Sequence, residues 1–189
     1  MTRIKLGNFK TFKDMDIEVG PVTVFVGPNN AGKTTALQAL TLWDLAARKW
    51  WEQKSASGAK TRTGVTLNRQ DLYAIPIPEA RLLWNDLHTK TGQGQDNGNV
   101  YIRMQLEGES HGKAWRAGME LYYANPESLY ARPLMDGEDL SGLEQSLAEH
   151  ITYLPPMSGL SSIEERLEMG SIRRRIGEGR TAEVLRNLL

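Results

Sequence analysis

An α/β fold with an inserted antiparallel β subdomain and a helical C-terminal segment is what the sequence predicts, on three observations. The apolar run Val22-Thr23-Val24-Phe25-Val26 leads into Gly27-Pro28-Asn29-Asn30-Ala31-Gly32-Lys33-Thr34-Thr35, and a helix-like run from Ala36 to Trp50 follows. Strand, glycine-rich loop and helix in that order are what the phosphate-binding pattern G-x-x-x-x-G-K-[ST] requires. From Val100 the period changes to two: Val100, Ile102, Met104 and Leu106 alternate with Tyr101, Arg103, Gln105 and Glu107, and Trp115 to Tyr123 repeats the alternation. Beyond Asp136, Leu140, Leu143 and Leu147 recur at helical spacing. The chain of 189 residues is long enough for one ordinary core and short for two. One domain over 1–189 is therefore expected, incomplete, with strand, loop and helix in 1–50, a loop and helical segment in 51–99, the β insert in 100–135 and helices in 136–189.

In chain order, Arg3 to Phe12 reads as a first strand, with Ile4 and Leu6 alternating against Arg3 and Lys5, and Asp16 to Val19 continues toward a second. Gly20-Pro21 is a turn. Val22 to Val26, β-branched, aromatic and almost wholly apolar, is expected as a central strand covered on both faces. The helix after the loop carries Ala36, Leu40, Trp43, Ala47 and Trp50 as one apolar stripe, with Trp50 and Trp51 at its end and a polar loop from Glu52 to Arg62. Asn68 is a plausible cap for a short turn through Tyr73. Pro78-Glu79-Ala80-Arg81 opens a helix to about His88, a lone histidine suited to a helix C-terminus. After a glycine-rich turn from Gly92 to Asn99 come the two alternating strands, and Ser128 to Arg132 adds a third. Ile151-Thr152-Tyr153-Leu154 is a short apolar strand stopped by Pro155-Pro156. Ser161 or Ser162 stands at capping-box distance from Glu164 or Glu165, and a last helix runs from Thr181 to Leu189.

The loop carries the chemistry. Its glycines let successive backbone N–H groups point into one concavity, and the helix behind adds its positive end, so a polyphosphate fits. Gly27, Pro28, Asn29, Asn30, Ala31, Gly32, Lys33, Thr34 and Thr35 form this candidate site. Lys33 is the catalytic candidate, reaching the β- and γ-phosphates, and the Thr34 hydroxyl is the candidate ligand for Mg²⁺.

Composition bounds the rest. The chain has 23 Lys+Arg against 23 Asp+Glu, so global charge does not favour DNA as a partner, although a local basic face is compatible with it. With no cysteine, disulfides and thiolate metal sites are excluded. No run approaches the roughly 20 apolar residues of a membrane span, and Met1-Thr2-Arg3-Ile4-Lys5 lacks a signal-peptide core, so a cytoplasmic protein without a membrane partner is expected. Arg173-Arg174-Arg175 with Arg180 reads as a solvated, glutamate-paired face before it reads as a phosphate contact.

With these residues in place the chain resembles the ABC-type ATPase heads of the SMC/RecF/OLD-like group, which are P-loop NTPases. Gly-Pro-Asn-Asn-Ala-Gly-Lys-Thr-Thr at 27–35 is similar to that group's loop, and Leu6-Gly7-Asn8-Phe9-Lys10 is similar to its opening L-x-N-F-K strand. The resemblance is concentrated in residues 1 to about 45 and is architectural beyond. It implies Mg-ATP at the loop, a later half supplying signature motif, Walker B acids and switch histidine, and two heads closing over two ATP molecules. Of those later parts little is found. Leu140-Ser141-Gly142-Leu143-Glu144-Gln145 resembles L-S-G-G-Q but has Leu for the second Gly. Ile151 to Leu154 ends in prolines instead of Asp-Glu, and Tyr153 to Ser158 lacks the expected glutamine. Leu82 to Asp86 and Leu134 to Glu138 are poor Walker B candidates. The chain is thus expected to stop before the second half of a head, in keeping with an end at Leu188-Leu189, and to need that half or a second head as partner for hydrolysis. The alternative is a nucleotide-switched binding or regulatory module without turnover. A GTPase is disfavoured by the antiparallel insert and by the lack of a guanine-reading motif, and a small-molecule kinase by the lack of a lid-like Arg cluster near the loop.

Overall fold

The computed structural model describes residues 1–57, 64–72, 74–91, 98–110, 112–134, 140–148, 151–154 and 164–188. Six strands form one sheet: β1 (Arg3–Phe9), β2 (Phe12–Glu18), β3 (Val65–Asn68), β4 (Ile102–Ser110), β5 (Lys113–Asn125) and β6 (Ser128–Pro133), in the spatial order β2-β1-β4-β5-β6-β3. Every pair is antiparallel. The opening hairpin and the expected insert are therefore parts of one sheet, with Ile4 opposite Leu106 and Leu6 opposite Met104. Among the described residues there is no parallel pair of the kind an α/β core is built on.

Because side chains alternate along each strand, one face of the sheet is apolar. Ile4, Leu6, Ile102, Met104, Leu106, Trp115, Ala117, Met119, Leu121, Leu129, Ala131, Val65 and Leu67 are all buried there. Helix α1 (Lys33–Ser57) covers that face with Ala39, Leu42, Trp43, Ala46, Ala47 and Trp50 in the same core. The anticipated stripe holds, with Leu40 half-buried. The helix runs seven residues past Trp50 because Glu52, Gln53 and Lys54 are good helix formers, and the Lys54 ammonium lies 5.3 Å and 5.4 Å from the Trp50 and Trp51 rings. On the opposite face, Arg103, Glu120 and Arg132 stand abreast, with Glu120 accepting a hydrogen bond from Arg132 Nε at 2.6 Å.

Val22 to Val26 is not a strand. No sheet partner or backbone hydrogen bond is described for it, and Val22, Val24 and Val26 are 87 %, 77 % and 90 % exposed. The chain leaves the sheet after Val19, whose N–H still bonds Thr2 O at 2.9 Å. It turns at Gly20, whose N–H donates to Thr23 Oγ1 at 3.0 Å. A β-rich sequence becomes a strand only beside a partner, and no described strand lies alongside.

The helix expected over 78–88 is instead two 3₁₀ turns, Ala80–Leu83 and Asn85–Leu87, around an extended Trp84. Trp84 bridges to Phe9 and donates its indole N–H to Val100 O at 2.7 Å, so the tertiary contact overrides helical spacing. Helix α2 (Ser141–Leu147) packs on β5. Ile151 to Leu154 is described without strand pairing, and Ser161 and Ser162 lie outside the described residues, as do 92–97, where most of the glycine-rich turn falls. Helix α3 (Met169–Gly177) forms within the segment expected to be helical, two 3₁₀ turns, Thr181–Glu183 and Leu185–Asn187, stand where the last helix was expected, and together they enclose a small second core of Ile172, Ile176 and Val184.

Candidate functional site

Gly27 to Ala31 are exposed, Gly32 is buried, Thr34 is exposed, and Lys33 and Thr35 are half-buried. Asn30 and Gly32 take left-handed backbone, φ 66° and 88°, so the loop curls back on itself before α1 begins at Lys33. Asparagine and glycine are the residues that adopt this conformation at low cost. Ala36 N–H bonds Gly32 O at 2.9 Å as α1 starts. The N-terminal amides of α1 thus open onto the exposed loop, the arrangement that favours an anion. Lys33 turns inward: its ammonium donates to Gly27 O at 2.8 Å and to Pro28 O at 2.7 Å. Its partners among the described residues are neutral carbonyls, so the cation has donor capacity to give to a phosphate oxygen, and the donor set as a whole suits a polyphosphate.

Three residues that sequence reasoning passed over stand beside the loop. Phe12, first residue of β2, packs against Gly32: a Cβ there would lie 2.5 Å from the ring's Cζ. Lys10 donates to Gln38 Oε1 on the second turn of α1 at 2.8 Å, and burial pushes its ammonium below the usual lysine range. These contacts join residues 20 to 28 positions apart, beyond any local periodicity. The available signal was the Leu6-Gly7-Asn8-Phe9-Lys10 segment, and the structure gives its Asn8 and Lys10 positive φ, 61° and 48°.

The other candidates are not brought to the loop. Gly142 of the signature-like segment is a packing glycine, since a Cβ there would run into Arg116 O of β5, and Leu143 is in the main core. Leu82 to Asp86 lies in the two 3₁₀ turns and His88 is exposed. Arg175 and Arg180 both pair with Glu183, at 3.4 Å and 2.7 Å, as expected of a glutamate-paired face. A cleft of ≈ 450 Å³ bounded by Arg69, Leu72, Pro76, Ile77, Pro78 and Gly177 shares no residue with the loop, and these lining residues include no carboxylate or histidine. Among the described residues, no group of three or more His, Asp or Glu could hold a metal ion, and no helix is long and apolar enough to cross a membrane.

Comparison with known proteins places the likeness at the same end of the chain. The family described as AAA ATPase domain matches residues 1–73. An OLD nuclease from Thermus scotoductus is 48 % identical over 42 residues, which are 22 % of this chain and 8 % of that nuclease. The chain therefore spans only a small part of that relative's length. Opening hairpin, exposed loop and α1 all fall within residues 1–73, where the chain is similar to an AAA ATPase domain.

Proposed function

We propose that this chain is the ATP-binding N-terminal part of an SMC/RecF/OLD-like ATPase. It binds Mg-ATP at Gly27 to Thr35 and hydrolyses it only when a second half or partner completes the site. The observation that carries the reading is the junction of an exposed phosphate-type loop with a bare apolar segment, Val22, Val24 and Val26 on one side and Gly27 to Ala31 on the other. Apolar residues that alternate in sequence yet stand in water mark a surface built to be covered. Covering it would bring further groups next to the loop.

Within the site, the loop amides and the N-terminus of α1 hold the phosphates. Lys33 exchanges its carbonyl partners for β- and γ-phosphate oxygens, and the Thr34 hydroxyl is the Mg²⁺ ligand. When bound, Mg²⁺ neutralises charge on the transferred phosphoryl group. Neither Lys33 nor Thr34 is a base, so water activation falls to the completing part. A nucleotide-switched module without turnover is the second reading. It shares the loop and the Lys33 contacts with the first reading, and turnover by the chain with and without a partner separates the two.

The test is calorimetry with Mg-ATP on the chain and on Lys33→Ala. Binding by the chain and a loss of at least about tenfold in the variant support the assignment, since charge-assisted hydrogen bonds contribute ~1.5–3 kcal/mol. Equal affinity in the variant would remove the loop from the site. Turnover by the chain alone would remove the need for a completing partner.

A further inference from the structure

We infer that the turn between β1 and β2, Lys10 to Phe12, is a positioning device for the phosphate loop, with Phe12 seating Gly32 and Lys10 holding α1 through Gln38. This rests on the nucleotide-site reading above and adds residues to it.

Gly32 is the buried member of an otherwise exposed run from Gly27, and the Phe12 ring packs on it. Three ring carbons, Cζ, Cε1 and Cε2, would lie 2.5, 3.1 and 3.2 Å from a Cβ at residue 32. The loop thus rests on the ring at Gly32 and faces solvent elsewhere. Two residues before Phe12, Lys10 reaches α1 at Gln38 Oε1, 2.8 Å away. One short turn therefore grips the loop–helix junction at two points, Gly32 and Gln38, on either side of Lys33 to Thr35.

The turn is itself held from the other side. Lys10 has φ 48°, a conformation that a lysine adopts only when its surroundings impose it. Its N–H donates to Leu83 O at 2.8 Å, its carbonyl accepts from Asn85 Nδ2 at 2.7 Å, and Phe9 bridges to Trp84. Residues 83–85 fix Lys10, and Lys10 and Phe12 fix the loop. The irregular 3₁₀ segment and the strained turn acquire one purpose from this: they carry the rigidity of the sheet to a loop whose preceding segment, Val22 to Val26, has no sheet partner among the described residues. Substrate-positioning geometry of this kind acts on affinity without touching the ligand.

The variants separate positioning from packing and from charge. Phe12→Ala removes the seat, and Gln38→Ala removes the acceptor while leaving the Lys10 charge in place. Lys10→Gly relieves the left-handed strain, so its melting temperature should hold or rise. Each should weaken Mg-ATP binding by calorimetry, about tenfold for Phe12→Ala and several-fold for Gln38→Ala, with the circular dichroism of the sheet unchanged. A ligand-free readout accompanies them: amide exchange at Ala36, whose N–H bonds Gly32 O, should quicken in Phe12→Ala. Unchanged exchange at Ala36, or wild-type affinity in both Phe12→Ala and Gln38→Ala, overturns the inference. If the unaltered chain binds no Mg-ATP, the nucleotide-site reading fails by itself, and the Ala36 exchange still decides whether Phe12 positions the loop.

Discussion

Val22-Thr23-Val24-Phe25-Val26 and Ile102-Arg103-Met104-Gln105-Leu106 are both five-residue stretches with apolar residues at every second position, and the first is the more apolar. Yet Ile102, Met104 and Leu106 are at most 2 % exposed in the middle of the sheet, whereas Val22, Val24 and Val26 are at least 77 % exposed. The difference is company. Ile102 to Leu106 lies between β1 and β5, which satisfy its backbone on both sides, and it rests on the core beneath α1. Val22 to Val26 follows a turn that takes it off the β2 edge, and no described strand receives it. Propensity for a strand is realised by neighbours, and the segment with the stronger propensity here lacks them.

Three substitutions break or sharpen this contrast. The largest effect belongs to Met104→Ala, which opens a cavity in a fully buried site and should cost about 2–5 kcal/mol in denaturant unfolding. A cost below about 1 kcal/mol would mean that β4 is not the packed centre it looks.

Asp71 ties the turn after β3 to α1, accepting from Lys49 Nζ at 2.6 Å and from Asn68 N–H at 3.0 Å. Partial burial raises its pKa, but those hydrogen bonds and the Lys49 charge outweigh it, and the net shift is downward. A carboxyl depressed in the folded state contributes stability above its unfolded pKa and loses it as pH falls through the folded value. Asp71→Asn should therefore cost less than about 1 kcal/mol at neutral pH, because the pair is about one-third exposed, and flatten the acid limb of the stability curve. An acid limb as steep as that of the unaltered chain would discount the pair.

The smallest effect is expected at Val24→Ala, within about 0.5 kcal/mol, since its side chain packs on little. A loss of 2 kcal/mol there would show that the segment is buried in solution and would erase the contrast.

The same contrast explains what was legible in the sequence. The α1 stripe from Ala36 to Trp50 and the alternation in β4 and β5 are local periodicities, and all three elements form where they were read, α1 running on to Ser57. Ser128–Pro133 joins them as the third strand expected there. The pairing of β1 with β4 is a contact across about 100 residues and has no periodic signature, so the opening hairpin looked like the start of an α/β core. Residues 80–87 carry leucines at helical spacing, but the bridge from Trp84 to Phe9 pulls them into 3₁₀ turns. At the candidate site, the proposed loop Gly27 to Thr35 could be read from sequence because the phosphate-loop pattern is specified by consecutive residues. Phe12, Lys10 and Gln38 were not, because each touches the loop or its helix only through the fold.

Amide hydrogen exchange of the chain alone, comparing residues 22–26 with residues 102–106, tests most directly that the loop is preceded by a β-prone segment without a described sheet partner. The expected result is exchange near unstructured rates over 22–26 and protection by several orders of magnitude over 102–106. Protection of Val22 to Val26 matching that of β4 would contradict the unpaired segment, and with it the proposal that a further part completes the site.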